Sequence, residues 1–102
     1  MVISRNIYEL LQSEDLDVRD DYSGRFMYGA RCFGITVSNF ATAVYQIIEA
    51  LRRIADNYSN EPDTVEEVEK LLDCEEWLHP KTDNLGLDYI VYFPDITVEE
   101  EN

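Results

Sequence analysis

Bases are scarce in this sequence. Eight lysines and arginines stand against 22 acids, a formal net charge of −14 at pH 7. A chain so negative is repelled by phosphate, which argues against direct binding to DNA, RNA or an anionic membrane surface. Histidine occurs once, at His79, and cysteine twice, at Cys32 and Cys74. A Cys–His nucleophilic pair would need both groups together in space with an orienting partner, and Glu75 and Glu76 beside Cys74 would raise its thiol pKa. No enzymatic activity is expected. Structural zinc needs four ligands where Cys74 and His79 offer two, and no twelve-residue calcium loop occurs, so neither metal nor cofactor is expected. Two cysteines beside an ample apolar complement read as reduced thiols of a cytoplasmic protein rather than a disulfide framework. There is no apolar run of 18 residues and no charged-then-apolar leader, hence no expected membrane span or secretion signal.

What is present is a folding composition: 45% hydrophobic and 12% aromatic residues in 102 positions, enough for one domain. No internal repeat or low-complexity linker divides it. Ser4 caps a short helix with Ile7, Tyr8, Leu10 and Leu11 on its apolar side. Residues 16–20 alternate apolar and charged, as a half-buried strand does, and residues 31–37 form a second strand with Phe33, Ile35 and Val37 facing one way. So short a connection makes an antiparallel hairpin. Ser38 then caps a long helix whose stripe runs Phe40, Val44, Ile47, Ile48, Leu51, Ile54, Ala55 and Tyr58. A third helix starts at the capping box Thr64-Val65-Glu66-Glu67 and runs toward the His79-Pro80 pair. Residues 83–86 read as a turn and 87–93 as a well-covered strand that Pro94 ends. The expected fold is α+β, in the order α-β-β-α-α-β. It is a two-layer sandwich with a three-stranded, mostly antiparallel sheet packed by helices. A single domain over 1–94 is followed by an acidic tail, 95–102.

The charge is concentrated. Residues 61–102 carry fourteen acids against Lys70 and Lys81. On a helix of 100° per residue, Glu66, Glu69, Asp73 and Glu76 fall within about an 80° arc, roughly 4.5–6 Å apart along the axis. Extended by Asp63 and Glu61, this row imitates the spaced charge of a nucleic-acid backbone. An ordinary solvated face is the plainer reading, but such a face intersperses lysines at i,i+4, and here only Lys70 does so. The second candidate is the hairpin tip, residues 20–29. It concentrates Tyr22, Arg25, Phe26, Met27 and Tyr28, residue types found in interface cores, on a tip that also carries Gly24 and Gly29. The same side chains could instead fold back over the sheet, and Ser23-Gly24-Arg25 could form an anion-binding nest. Trp77, beside the acidic arc, is either folded under the following loop or an interface anchor, the first being favoured.

In length, pI, α+β reading, carboxylate-lined helix and aromatic–Arg loop, the chain resembles the small acidic inhibitors that phages encode against bacterial defence, of the anti-CRISPR and anti-restriction DNA-mimic type. The string Tyr22–Gly29 is also similar to one in short phage proteins. The resemblance is one of kind, and no residue role is carried over from it. It implies a stoichiometric inhibitor in the cytoplasm of a bacterial host cell that binds a basic nucleic-acid-handling defence protein, such as a CRISPR effector. Asp63, Glu66, Glu69, Asp73 and Glu76, helped by Asp20, Asp21 and Asp88, would meet the partner's cations, with Tyr22, Arg25, Phe26 and Tyr28 as anchors. The alternatives are a small-molecule (nucleotide) sequestering protein and a non-mimic interaction subunit or antitoxin. A homodimer through the open side of the sheet is as compatible with the sequence as a monomer.

Overall fold

Ser4 does open the first helix: its hydroxyl accepts the Ile7 N–H at 3.2 Å. A computed structural model describes residues 1–22 and 31–100. Strand β1 (Val2–Ile3) leads into α1 (Arg5–Ser13), followed by β2 (Val18–Tyr22) and β3 (Cys32–Val37). Then come α2 (Ala43–Asn57), α3 (Pro62–Leu72), β4 (Lys81–Leu85), β5 (Asp88–Phe93) and β6 (Thr97–Val98). The fold is α+β. Its main sheet has four strands in the order β2-β3-β5-β4, every neighbouring pair antiparallel, while β1 and β6 form a separate parallel pair.

The expectation of three strands is corrected by β4. Residues 83–85, read as a turn, lie in this strand, and the turn is confined to Gly86 and Leu87 between the paired residues Leu85 and Asp88. Gly86 sits at φ 64°, a conformation glycine adopts without a steric penalty and that a two-residue hairpin requires. Asp83 and Asn84 are poor strand formers. They are accommodated because β4 is an edge strand and the Asp83 carboxylate accepts the Asn84 N–H at 2.9 Å.

The face of the sheet bearing Phe33, Ile35, Val37, Val91 and Phe93 packs into one core with Ile7 and Leu11 of α1, Ile47, Leu51 and Ile54 of α2, and Val68 and Leu71 of α3. The other face carries a smaller cluster of Cys32, Ile90 and Tyr92, against which Tyr22 packs. β5 lies between β3 and β4 and is buried from Ile90 to Phe93, as its two-sided apolar sequence implied.

The long helix begins later than expected. Asn39 caps a 3₁₀ turn over Phe40–Thr42, its Oδ1 accepting the Ala41 N–H at 3.0 Å. The helix itself starts after Thr42, which makes no side-chain cap bond, so Ser38 is not its cap. Phe40, expected first in the buried stripe, is therefore 56% exposed, with its ring edge-on to Tyr89 at 5.7 Å. The third helix begins earlier than the Thr64 box, because Pro62 occupies its first turn, where a missing N–H costs nothing. Residues 95–98 join the fold. Ile96 is fully buried, its carbonyl accepts the Phe33 N–H at 2.8 Å, and Thr97 and Val98 pair with Val2 and Ile3.

Candidate acidic interface

Helix α3 has one buried side, formed by Thr64, Val68 and Leu71, and an outer side of carboxylates. Asp63, in the first turn, is exposed where the helix dipole favours an anion. Glu66 and Glu69 follow at successive i,i+3 steps, both exposed. The Lys70 Nζ lies 3.4 Å from Glu66 and partly compensates it. Asp63, Glu69 and Asp73 have no cationic partner among the described residues. Glu67 differs: it is half-buried, and its carboxylate accepts the Ser4 N–H at 3.0 Å, fastening α3 to the start of α1.

The carboxylate row does not continue along one helix to residue 76. Asp73 is the C-cap, and Cys74 turns extended at φ −76°, ψ 133°. Residues Glu75–Leu78 then form a separate 3₁₀ turn. The cause is Trp77. Its ring is 3% exposed and meets Phe93 at 4.9 Å and Phe33 at 6.0 Å, both edge-on. Its indole N–H donates to the Leu71 carbonyl at 2.6 Å, and the same oxygen accepts the Cys74 N–H at 3.2 Å. An uninterrupted helix would carry Trp77 away from that carbonyl. Glu76 is thereby half-buried, and the Cys74 thiol donates to the Lys70 carbonyl at 3.2 Å. Burial first, then the Glu76 and Asp73 carboxylates, push the Cys74 thiol above its ordinary pKa. The Cys32 thiol is raised by burial, and both cysteines are free.

Of the hairpin residues, Tyr22 is half-buried. Its ring lies 4.6 Å from that of Tyr92, and its hydroxyl donates to the Asp83 carboxylate at 2.8 Å, linking the two edge strands. Burial, followed by that hydrogen bond and the Asp83 charge, raises its pKa well above the phenol value. Arg25, Phe26 and Tyr28 lie outside the described residues. Asp20 is paired with Arg5 at 2.9 Å. Sequence reasoning missed the exposed apolar side chains Tyr45, Leu78 and Leu87. For Leu87 a signal existed, since a residue directly after a turn glycine has no core to face.

Among the described residues no three His, Cys, Asp or Glu side chains come together as a metal site, and no helix is long and apolar enough to cross a membrane. No protein-family model matches the chain, nor does any curated protein or solved structure.

Proposed function

We propose that this protein is a stoichiometric inhibitor that binds a nucleic-acid-handling defence protein, such as a CRISPR effector. Its acidic face would occupy a Lys/Arg surface built for a phosphate backbone. The observation that carries the reading is the outer side of α3 with its cap: Asp63, Glu66, Glu69 and Asp73 are all exposed, with a single lysine among them. Glu66 and Glu69 are about 4.5 Å apart along the axis, a spacing of the order of the charge repeat along a nucleic-acid strand. Two fastenings hold the helix that carries the row, the Glu67–Ser4 bond midway along it and Trp77 beyond its end. A backbone already held in place has little further ordering to lose on binding. Glu76 belongs to the margin of this face, and Tyr22 is a support of the sheet more than an anchor.

The test is a tagged pull-down from nuclease-treated bacterial lysate, washed at low and at high salt and read by mass spectrometry. The expected result is one dominant nucleic-acid-binding protein, released by high salt or displaced by DNA. A partner retained in high salt and indifferent to DNA would replace this reading with that of a non-mimic interaction subunit.

A further inference from the structure

A cavity of about 660 Å³ opens where the start of α1, strand β2, Arg31 just ahead of β3, and the segment from β6 onward meet. The charged groups in its lining are of two kinds. Arg5 and Asp20 are committed to the fold. The Arg5 Nη1 donates to the Asp20 carboxylate at 2.9 Å and its Nε to the Glu99 carbonyl at 3.0 Å, and the guanidinium lies 5.2 Å from the centre of the Tyr8 ring. Arg31 and Glu100 are not so committed. Both are exposed, and neither has an ion-pair partner among the described residues, although both line this cavity. Two opposite charges thus border one space without touching each other. Thr97 adds a hydroxyl to the lining and Val98 a half-buried apolar wall.

We propose that this cavity binds a small zwitterion of the α-amino-acid type, its carboxylate on the Arg31 guanidinium and its ammonium on the Glu100 carboxylate. Charge balance selects this class. A bare anion would meet Arg31 but also Asp20, Glu100 and the field of a chain carrying −14. A nucleotide, with several negative charges, fits less well for the same reason. A bare cation would meet Glu100 and be opposed by two arginines. A molecule with both signs satisfies both free groups, and guanidinium–carboxylate pairing is the stronger kind of hydrogen bond. The volume lies within the range of small-ligand sites, about 300–1,000 Å³. The site does not involve the α3 carboxylates and stands or falls independently of the proposed protein partner.

The experiment is an amide-resolved NMR titration of the whole protein with individual free amino acids, acidic, basic, aliphatic and aromatic, up to about 10 mM, a range suited to weak binding. The probes are accompanied by their N-acetyl and carboxamide derivatives. Saturable shifts at Arg31, Thr97 and Glu100 are expected for at least one amino acid. Affinity should fall about tenfold or more when either terminus is masked, and likewise in Arg31→Ala and Glu100→Gln, as loss of a charge-assisted bond implies. Thermal unfolding of the two variants, both altered at exposed positions, verifies that the fold is kept. The proposal is overturned by an absence of saturable shifts, by equal binding of the masked derivatives, or by unchanged affinity in Arg31→Ala.

Discussion

The indole N–H of Trp77 donates to the carbonyl oxygen of Leu71 at 2.6 Å, and this bond sets the length of the acidic helix. It shares that carbonyl with the Cys74 N–H, which bonds it at 3.2 Å, while the ring fills the core against Phe93. Trp77→Ala should therefore destabilise by about 3–5 kcal/mol, the cost of emptying so large a buried site. Trp77→Phe, which keeps most of the apolar volume, should cost less and leave the Leu71 carbonyl with the Cys74 N–H alone. Urea unfolding followed by circular dichroism distinguishes these outcomes. A loss below about 1 kcal/mol for the alanine variant would mean that Trp77 does not anchor the turn.

The Tyr22–Asp83 bond makes stability depend on alkaline pH. The folded-state pKa of Tyr22 is raised above the ordinary value of 10.0, by burial first and by Asp83 second. A group raised on folding contributes stability that is fully present below its unfolded pKa and is lost as pH climbs past it. Stability should begin to fall near pH 9, where the raised Cys32 and Cys74 thiols come into play, and fall more steeply above about pH 10. Above about pH 10, Tyr22→Phe should decline less steeply, because one raised phenol fewer adds to the slope. Tyr8 and the Cys32 and Cys74 thiols, all raised chiefly by burial, still add to it. At neutral pH the same variant should cost about 1 kcal/mol for the lost bond. Denaturant midpoints measured from pH 8 to pH 11 provide the check, and parallel curves for the two proteins would contradict it.

Two positions on β3 should respond in opposite directions. A Cβ at Gly34 would come within 3.2 Å of both the Tyr92 Cβ and the Val91 carbonyl oxygen, in the middle of the sheet. Neither can move without disturbing the β3–β5 ladder, so Gly34→Ala should destabilise by about 1–3 kcal/mol. The Thr36 hydroxyl is buried with no hydrogen-bond partner among the described residues. Thr36→Val replaces it with a methyl group of similar size and should stabilise by about 1 kcal/mol. Melting temperatures that move in the same direction would count against this account of the second face.

Charge on α3 should control the rate of encounter with a partner. Glu69→Lys combined with Asp73→Lys alters two exposed carboxylates and leaves Glu67, which fastens α3, in place. With the captured partner, association at low salt should slow by about tenfold, while dissociation changes less. Near 1 M salt, where screening acts within about 3 Å, the two proteins should associate at similar rates. Stopped-flow traces across a salt series measure this. Equal rates at low salt would remove the α3 face from the mechanism.

Elements whose apolar residues repeat at a clear period were legible in the sequence: α1 with its Ser4 cap, the β2–β3 hairpin, most of α2, and β5. Those written in polar residues were not. β4 reads Lys-Thr-Asp-Asn-Leu and exists because its neighbour β5 offers a hydrogen-bonding edge, a condition that no local pattern encodes. β6 is two residues long and depends on β1, far away in sequence. The outer side of α3 was legible as a row of acids. Its end was not, because the break at Cys74 follows from where Trp77 finds room, a matter of packing among Phe33, Phe93 and Leu71. The cavity was invisible for a similar reason, since Arg5, Arg31 and Glu100 are brought together only by the finished fold.

The parallel pairing of Val2 and Ile3 with Thr97 and Val98 also bears on how the chain acquires its structure. During synthesis the first strand emerges long before the last. Until Ile96 arrives, the Phe33 N–H that it will bind has no acceptor, and Ile3 lacks a pairing partner. Contacts so far apart carry a large loop-closure cost and form late. A chain whose synthesis stalls before residue 96 would lack both the acceptor for the Phe33 N–H and the strand that pairs with β1. Closure of this clasp would then be the final event of folding.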